Sequence, residues 1–245
     1  MYEWLTDVNT WVAIMKIIGI NIVLSGDNAV VIALACRNLP PVQQKRGIFF
    51  GGMAAIVLRI ILTIFAVVLL TQPYLKIGGS VLLLWIAVKL LLPEDENGDG
   101  VEAQENLYKA IKTILIADLV MSLDNVLGVA AVANGDILLL IIGLVISMPL
   151  IIYGSTLILK LMTRFPVVIT LGAALLGYVA GEMAVTDGAI EDWLNANAHW
   201  VRMLAPIAGA AFVVAMGKLV VWHRQRRHAV TEISVVEQEP GEPRR

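Results

Sequence analysis

A chain of 245 residues that is 58% hydrophobic and only 16% charged, with a mean hydropathy of +0.80, stands far from the roughly 25% charged content of soluble domains. It reads as an all-α membrane protein whose surroundings are the lipid bilayer. The formal charge of −2 is split between acidic loops and a basic C-terminal edge, so no face is uniformly basic and nucleic acid is excluded as a partner.

Taken in order, residues 1–10 carry Glu3 and Asp7 where a secretory leader would be basic, and the apolar run that follows ends without a small-residue cleavage site. The first helix is therefore expected to stay in the mature protein. Seven apolar stretches, near 11–36, 47–70, 75–92, 110–133, 137–161, 166–184 and 203–222, are each long enough to cross the hydrocarbon core as a helix. Leu39-Pro40-Pro41, Gln72-Pro73 and Asn134-Gly135-Asp136 punctuate them. Cys36, the single cysteine, ends the first stretch and rules out a disulfide framework or a thiolate metal cage.

Loop charge orients the spans. Arg37, Lys45, Arg46, Lys109, Lys112, Lys160, Arg164, Lys218, Arg224, Arg226 and Arg227 fall on one side. Glu3, Asp7, Asp136, Asp187, Glu191 and Asp192 fall on the other, against Lys76 and Arg202. The positive-inside rule then puts the N-terminus outside and the C-terminus in the cytoplasm. In the cytoplasmic loop 93–109, Asp95-Glu96-Asn97-Gly98-Asp99-Gly100 matches the first half of a calcium-binding EF-hand loop. Position 12 is Asn106 in place of a bidentate Glu, so the segment is read as a solvated acidic loop. Residues 229–245, rich in Glu and Pro, are expected to be a disordered tail.

The chain repeats internally. Residues 20–33 align with 117–130 without a gap at an offset of 97, matching Ser25 with Ser122, Asp27 with Asp124, Asn28 with Asn125 and Asn21 with Asp118. More loosely, Gly79, Trp85 and Lys89 of the third span match Gly172, Tyr178 and Glu182 of the sixth. A three-span unit is odd, so its second copy must enter the membrane from the opposite side. The expected organisation is an inverted 3+3 repeat plus one C-terminal helix: residues 1–92, a cytoplasmic loop 93–109, an inverted unit 110–185, and an outer loop with the seventh helix 186–228. Inverted repeats of this kind place transport sites at mid-membrane between the halves, often at interrupted helices such as Gly26 and Gly128 suggest.

Each ionisable group at a helix centre costs about 2.5 to 3.5 kcal/mol, so Asp27, Asp118 and Asp124 require a compensating role. On a regular helix Asn21, Ser25 and Asn28 share one face, as do Asp118, Ser122 and Asn125. The set Asn21, Asp27, Asn28, Asp118, Asp124 and Asn125 offers only hard oxygen ligands, which suit Mg, Ca or Mn. Three aspartates facing a dication leave one negative charge for a proton or Arg59 to balance. Ser25, Ser122, Arg59 and Glu182 are candidates for supporting or ion-coupling roles. The bland alternative is that the Asp-Asn pairs merely bridge helices, at about 0.6 kcal/mol each.

The Ser-Gly-Asp-Asn-Ala run at Ser25–Ala29 and Ser-Leu-Asp-Asn-Val at Ser122–Val126 resemble the TerC superfamily, most closely its YjbE-like branch. Leu34–Pro40 and the Gly51, Gly52 and Arg59 pattern extend the resemblance over nearly the whole chain. It implies a bacterial inner-membrane protein of metal-ion homeostasis, with manganese export as the role and Asp27, Asn28, Asp118, Asp124 and Asn125 as the residues that matter. Asn21 stands where a fourth carboxylate would complete the symmetry, so the site is expected to be asymmetric.

Secondary transport of a divalent cation, with no enzymatic activity and no resident cofactor, is therefore the expectation, since no Walker-type phosphate loop exists to drive a primary pump. Coupling to protons or sodium stays open, as does oligomeric state. The rivals are a metallation or assembly partner that binds metal without flux, and an intramembrane aspartyl protease, whose Gly-x-Gly-Asp pattern Leu24-Ser25-Gly26-Asp27 lacks.

Overall fold

The computed structural model describes residues 11–12, 14–19, 26–65, 72–92, 103–133 and 137–236, with backbone alone at 103–105, 124–133, 137, 139–140 and 224–236. All regular structure among them is helical. A helical segment at 14–19 is followed by α1 (Gly26–Cys36), α2 (Pro41–Ile64), α3 (Leu75–Leu91), α4 (Ala103–Ala133), α5 (Ile137–Arg164), α6 (Val167–Val185), the short α7 (Glu191–Asn197) and α8 (His199–Val236). The acidic motif at 95–100 lies outside the described residues.

Among the described residues, four helices are apolar and long enough to cross a membrane: Pro41–Ile64, Ile141–Arg164, Val167–Val185 and His199–His223. Large side chains such as Phe50, Val57 and Ile61 of α2, Val145 of α5, Leu171 of α6 and Ile207 of α8 stand exposed on their outer faces. Water would penalise that surface and lipid does not. The opposite faces meet in one core that includes the fully buried Leu83, Ile86, Ile114, Leu176, Met183 and Val213.

Several boundaries move from those expected. α2 opens at Pro41, since a proline is preorganised for the first helical position, so Lys45 and Arg46 sit on its first turns and not in a loop. α4 starts at Ala103 within the segment expected as loop, and its 31 residues, about 45 Å, outrun the roughly 30 Å hydrocarbon core. α8 continues to Val236, so residues 229–236 of the expected tail are helical.

Close contacts fix the helix directions. Gly51 of α2 faces Ile114 of α4, and Arg59 of α2 meets Asp118 and Ser122 of α4, so these two helices run parallel. Gly79 near the start of α3 lies against Met183 near the end of α6, so that pair is antiparallel. Gly143 of α5 packs on Ile17, and Ile17, Ile56 and Leu144 form a second small core. α6 and α8 cross most intimately, through Gly177 and Gly181 on one helix and Ala205 and Gly209 on the other, with no side chain between the two backbones. In lipid, where apolar burial gives no preference for protein over solvent, such close backbone approach is what drives helix association.

α3 is held at both ends. Its first residues offer no side-chain cap, and Tyr74 adopts a left-handed conformation at φ 64°. The missing cap comes from the loop after α6: Asp187, 1% exposed, accepts the N–H groups of Tyr74 at 3.1 Å, Lys76 at 3.0 Å and Ile77 at 3.3 Å, together with that of Ala189 at 2.9 Å. At the other end Arg37, which follows α1, donates to the Leu92 carbonyl at 3.0 Å. Each charge suits the partial charge of the helix terminus it meets. Burial by itself would raise the Asp187 carboxyl, but the four N–H donors prevail and hold it below its ordinary value. A depressed carboxylate stabilises the fold above its unfolded pKa, near 3.8, and that contribution disappears as pH falls through the lower folded value. Asp187→Ala should therefore lower stability at pH 7 by about 2 kcal/mol, as for a lost cap with charge-assisted bonds, and the gap to wild type should narrow below about pH 3.5. Thermal melts in detergent across that range are the measurement; a gap that is unchanged by acid would refute the capping role.

Candidate functional site

The two Asp-Asn motifs fall at different places in their helices. Asp27 and Asn28 open α1, and the Asp27 carboxylate accepts the Asn28 N–H at 2.8 Å. The first turn of a helix has N–H groups without ladder partners, so an aspartate there is favoured both as acceptor and as an anion at the positive terminus. Asp124 and Asn125 lie on the backbone of α4, but their side chains are outside the described residues, as are Asn21 and Ser25 altogether. Gly128 shares that backbone-only stretch of α4, which is helical through it.

The described polar centre joins α1, α2 and α4. Arg59, 4% exposed on α2, donates from Nη2 to Asp118 Oδ1 at 2.7 Å and from Nε to Ser122 Oγ at 3.2 Å. Ser122 in turn donates to Asp118 Oδ2 at 3.3 Å. Both carboxylate oxygens of Asp118 are thus engaged within the protein, one turn of α4 away from Ser122 and at 5% exposure. A buried pair of this kind is held by excellent geometry and added hydrogen bonds, and removing either partner strands a charge. Asp27 is close enough to feel the charges of both Arg59 and Asp118.

Beside the pair is a cavity of about 10 Å³, lined by Asn28, Val31 and Ile32 of α1, Ala55 of α2, and Ile114 and Asp118 of α4. That is room for about one water. Asn28, 4% exposed, and Asp118 are its polar residues; the others are aliphatic. Among the described residues no three His, Cys, Asp or Glu side chains converge as a ready metal cluster.

Of the expected site residues, then, Asn28, Asp118, Ser122 and Arg59 come together, with Asp27 next to them. Glu182 does not join: it is exposed on α6, one turn before that helix ends at Val185. Its counterpart Lys89 is exposed two residues before the end of α3, its ammonium 5.1 Å from the Trp85 ring. Charged side chains near helix ends reach for the interface, which accounts for both. Ala55 and Ile114, which line the cavity, carry no chemical signal in sequence. Asp187 was legible only as a loop charge; the missing cap before Leu75 was the sign that some donor-hungry helix start needed a carboxylate.

The family model described as "Integral membrane protein TerC family" matches residues 6–228. The chain is 41% identical over 203 residues to the membrane protein YjbE of Bacillus subtilis, covering 83% of this chain and 92% of that one. It is 24% identical over 243 residues to YegH of Escherichia coli, covering 91% of this chain but 45% of the relative. Its likeness to the inner membrane protein YgdQ of Escherichia coli is 27% over 169 residues, or 60% of this chain and 68% of the relative. No solved structure matches.

Proposed function

As a member of the TerC family of integral membrane proteins, to which the chain belongs, the protein is one for which we propose secondary transport of a divalent cation, with Mn2+ efflux as its physiological form. The observation that carries this reading is the small cavity between α1, α2 and α4, where Asn28, next in the chain to Asp27, and Asp118 are the polar residues of an otherwise aliphatic lining. Intramembrane charges are costly to keep unless they serve a pathway or a substrate. A space for one water demands that a cation enter largely stripped of its hydration, with carboxylate and amide oxygens replacing water, and hard oxygens favour Mn2+ and Mg2+ over Zn2+ or Cu2+. Asp27 and Asn28 of the first motif, with Asp124 and Asn125 of the second, are the proposed ligands, and Asn21 and Ser25 precede the first pair in sequence.

The architecture we infer around the site is seven spans, the first six as inverted three-helix units. Three observations support it. The third helices of the two halves, α3 and α6, run antiparallel. Gly51 meets Ile114 in the same way that Gly143 meets Ile17, and Ile17 and Ile114 stand at the offset of 97 that relates the motifs. α2 packs on α4, as α5 packs on α1. Arg37, Gly47 with its neighbours Lys45 and Arg46, and Leu107 close to Lys109 gather at the end of the molecule where α3 finishes, supporting a cytoplasmic assignment for that end and an outside N-terminus in an inner membrane.

Purified protein in liposomes, with Mn2+ entry followed by a trapped fluorescent chelator, tests the function. Flux that needs an imposed proton or sodium gradient is the expected result. Tight Mn2+ binding with no flux under either gradient would favour a metallation partner and end the transport reading. Whole-cell elemental analysis with and without the protein then identifies the ion that accumulates.

A further inference from the structure

The transport reading leaves a charge question. Asp27, Asp118 and Asp124 bring three negative charges to the two motifs, more than one divalent cation neutralises. The geometry points to Arg59 as the residue that sets this charge: locked to Asp118, it leaves two negative charges on the site, so that one divalent cation completes neutrality. Asp118 is then a counter-ion for Arg59 and not a ligand of the cargo.

Two independent observations converge on this assignment. Both Asp118 oxygens are occupied, by Arg59 Nη2 at 2.7 Å and by Ser122 Oγ at 3.3 Å, in a fully buried triangle that Arg59 Nε closes on Ser122 at 3.2 Å. With a guanidinium on one oxygen and a hydroxyl on the other, the charge of this carboxylate is already matched inside the protein. The repeat supplies the second observation. The matched contacts of Gly51 with Ile114 and Gly143 with Ile17 set the register between α2 and α5, and that register places Ile151 opposite Arg59. The motif register places Asn21 opposite Asp118. The repeat-related pair of positions, Asn21 and Ile151, therefore lacks both charges, a neutral amide and an aliphatic side chain standing where this pair has the carboxylate and the guanidinium. Ile151 is half-buried against the main core, where an unpaired cation would have no partner. Losing both charges together leaves the sum unchanged, whereas losing one does not, and that is the pattern expected of a pair whose net charge is what matters.

The assignment rests on the cation reading above and is tested by binding. Full-length wild type, Asp118→Asn, Arg59→Ile and the double variant, which gives this pair the residue types of its repeat-related positions Asn21 and Ile151, are purified in detergent and titrated with Mn2+ by calorimetry at pH 7. Asp118→Asn leaves one negative charge and is expected to bind about tenfold or more weakly than wild type, while Arg59→Ile binds no more weakly than wild type. The double variant should return to within about threefold of wild type. Should either single variant fail to fold, the double variant, which strands no charge, carries the comparison alone. A folded double variant at least about tenfold weaker than wild type overturns the assignment and makes Asp118 a ligand. Equal weakening by both single variants also overturns it, since opposite charge changes must then act through structure. Wild type that binds Mn2+ but moves none sinks transport and leaves this comparison intact; wild type that binds no Mn2+ overturns both.

Discussion

Gly181→Leu is expected to leave almost no folded protein in detergent extracts. A Cβ at Gly181 would fall on the backbone of Ala205 and lie 2.8 Å from the Pro206 Cα, and neither can rotate aside as a side chain could. Gly177 is equally constrained, meeting the Gly209 carbonyl carbon at 2.9 Å. Leucine adds four carbons at the closest crossing of α6 and α8, so the helices must separate along the whole interface and lose packing around Leu176, Ala180 and Val213. Overpacking costs about 1–3 kcal/mol in a yielding core and more where only backbone faces the intruder. The control is Gly78→Leu on α3, where a Cβ has nothing within 4 Å and the residue is exposed to lipid. Fluorescence-detected size exclusion should show a monodisperse peak for Gly78→Leu and its loss for Gly181→Leu; equal peaks would refute the close-crossing account.

Asp27→Asn should abolish transport while the protein still reaches the membrane. The substitution keeps shape, and an amide oxygen still accepts the Asn28 N–H that holds the first turn of α1. What it removes, on the proposed reading, is the charge that offsets dehydration of a divalent cation beside Asn28. Loss of one carboxylate ligand from a site of this size corresponds to at least about a hundredfold in flux, from a few kcal/mol of lost charge-assisted coordination. In a host lacking its own manganese exporters, wild type should restore growth in millimolar Mn2+ and Asp27→Asn should not, with equal amounts of both proteins in the membrane. Asp124→Asn is expected to match it. Full tolerance in both variants would remove the motifs from the pathway.

Sequence revealed most of the apolar framework because lipid imposes it: any helix that spans must be long and apolar, and α3 and α6 lie within a residue or so of their expected limits. Helix ends outside the hydrocarbon were less legible. Hydropathy cannot see the polar turns of α4 from Ala103, whose Tyr108, Lys109 and Lys112 stand exposed around the buried Ala110. At the site, chemistry was legible and pairing was not. Arg59 could be recognised as a charge in need of a partner, but which carboxylate it meets depends on the rotation of α2 about its axis against α4, and the Gly51 contact with Ile114 that fixes it involves no chemically distinctive residue. Glu182 matched the repeat and still belongs elsewhere, because register in sequence does not say which side of a helix faces protein.

The tethering of α3 has a mechanical consequence. A helix stayed like a mast, by Asp187 at one end and Arg37 at the other, resists both sliding along its axis and tipping out of line. With α6 and α8 interlocked beside it, these three make a stationary wall. On the transport reading proposed above, a pore that opens by turns to opposite sides is worked from the other bank, by α1, α2, α4 and α5, and the Arg37 stay is a polar rope between deck and mast beside the packing of α3 on α4 and of α6 on α1.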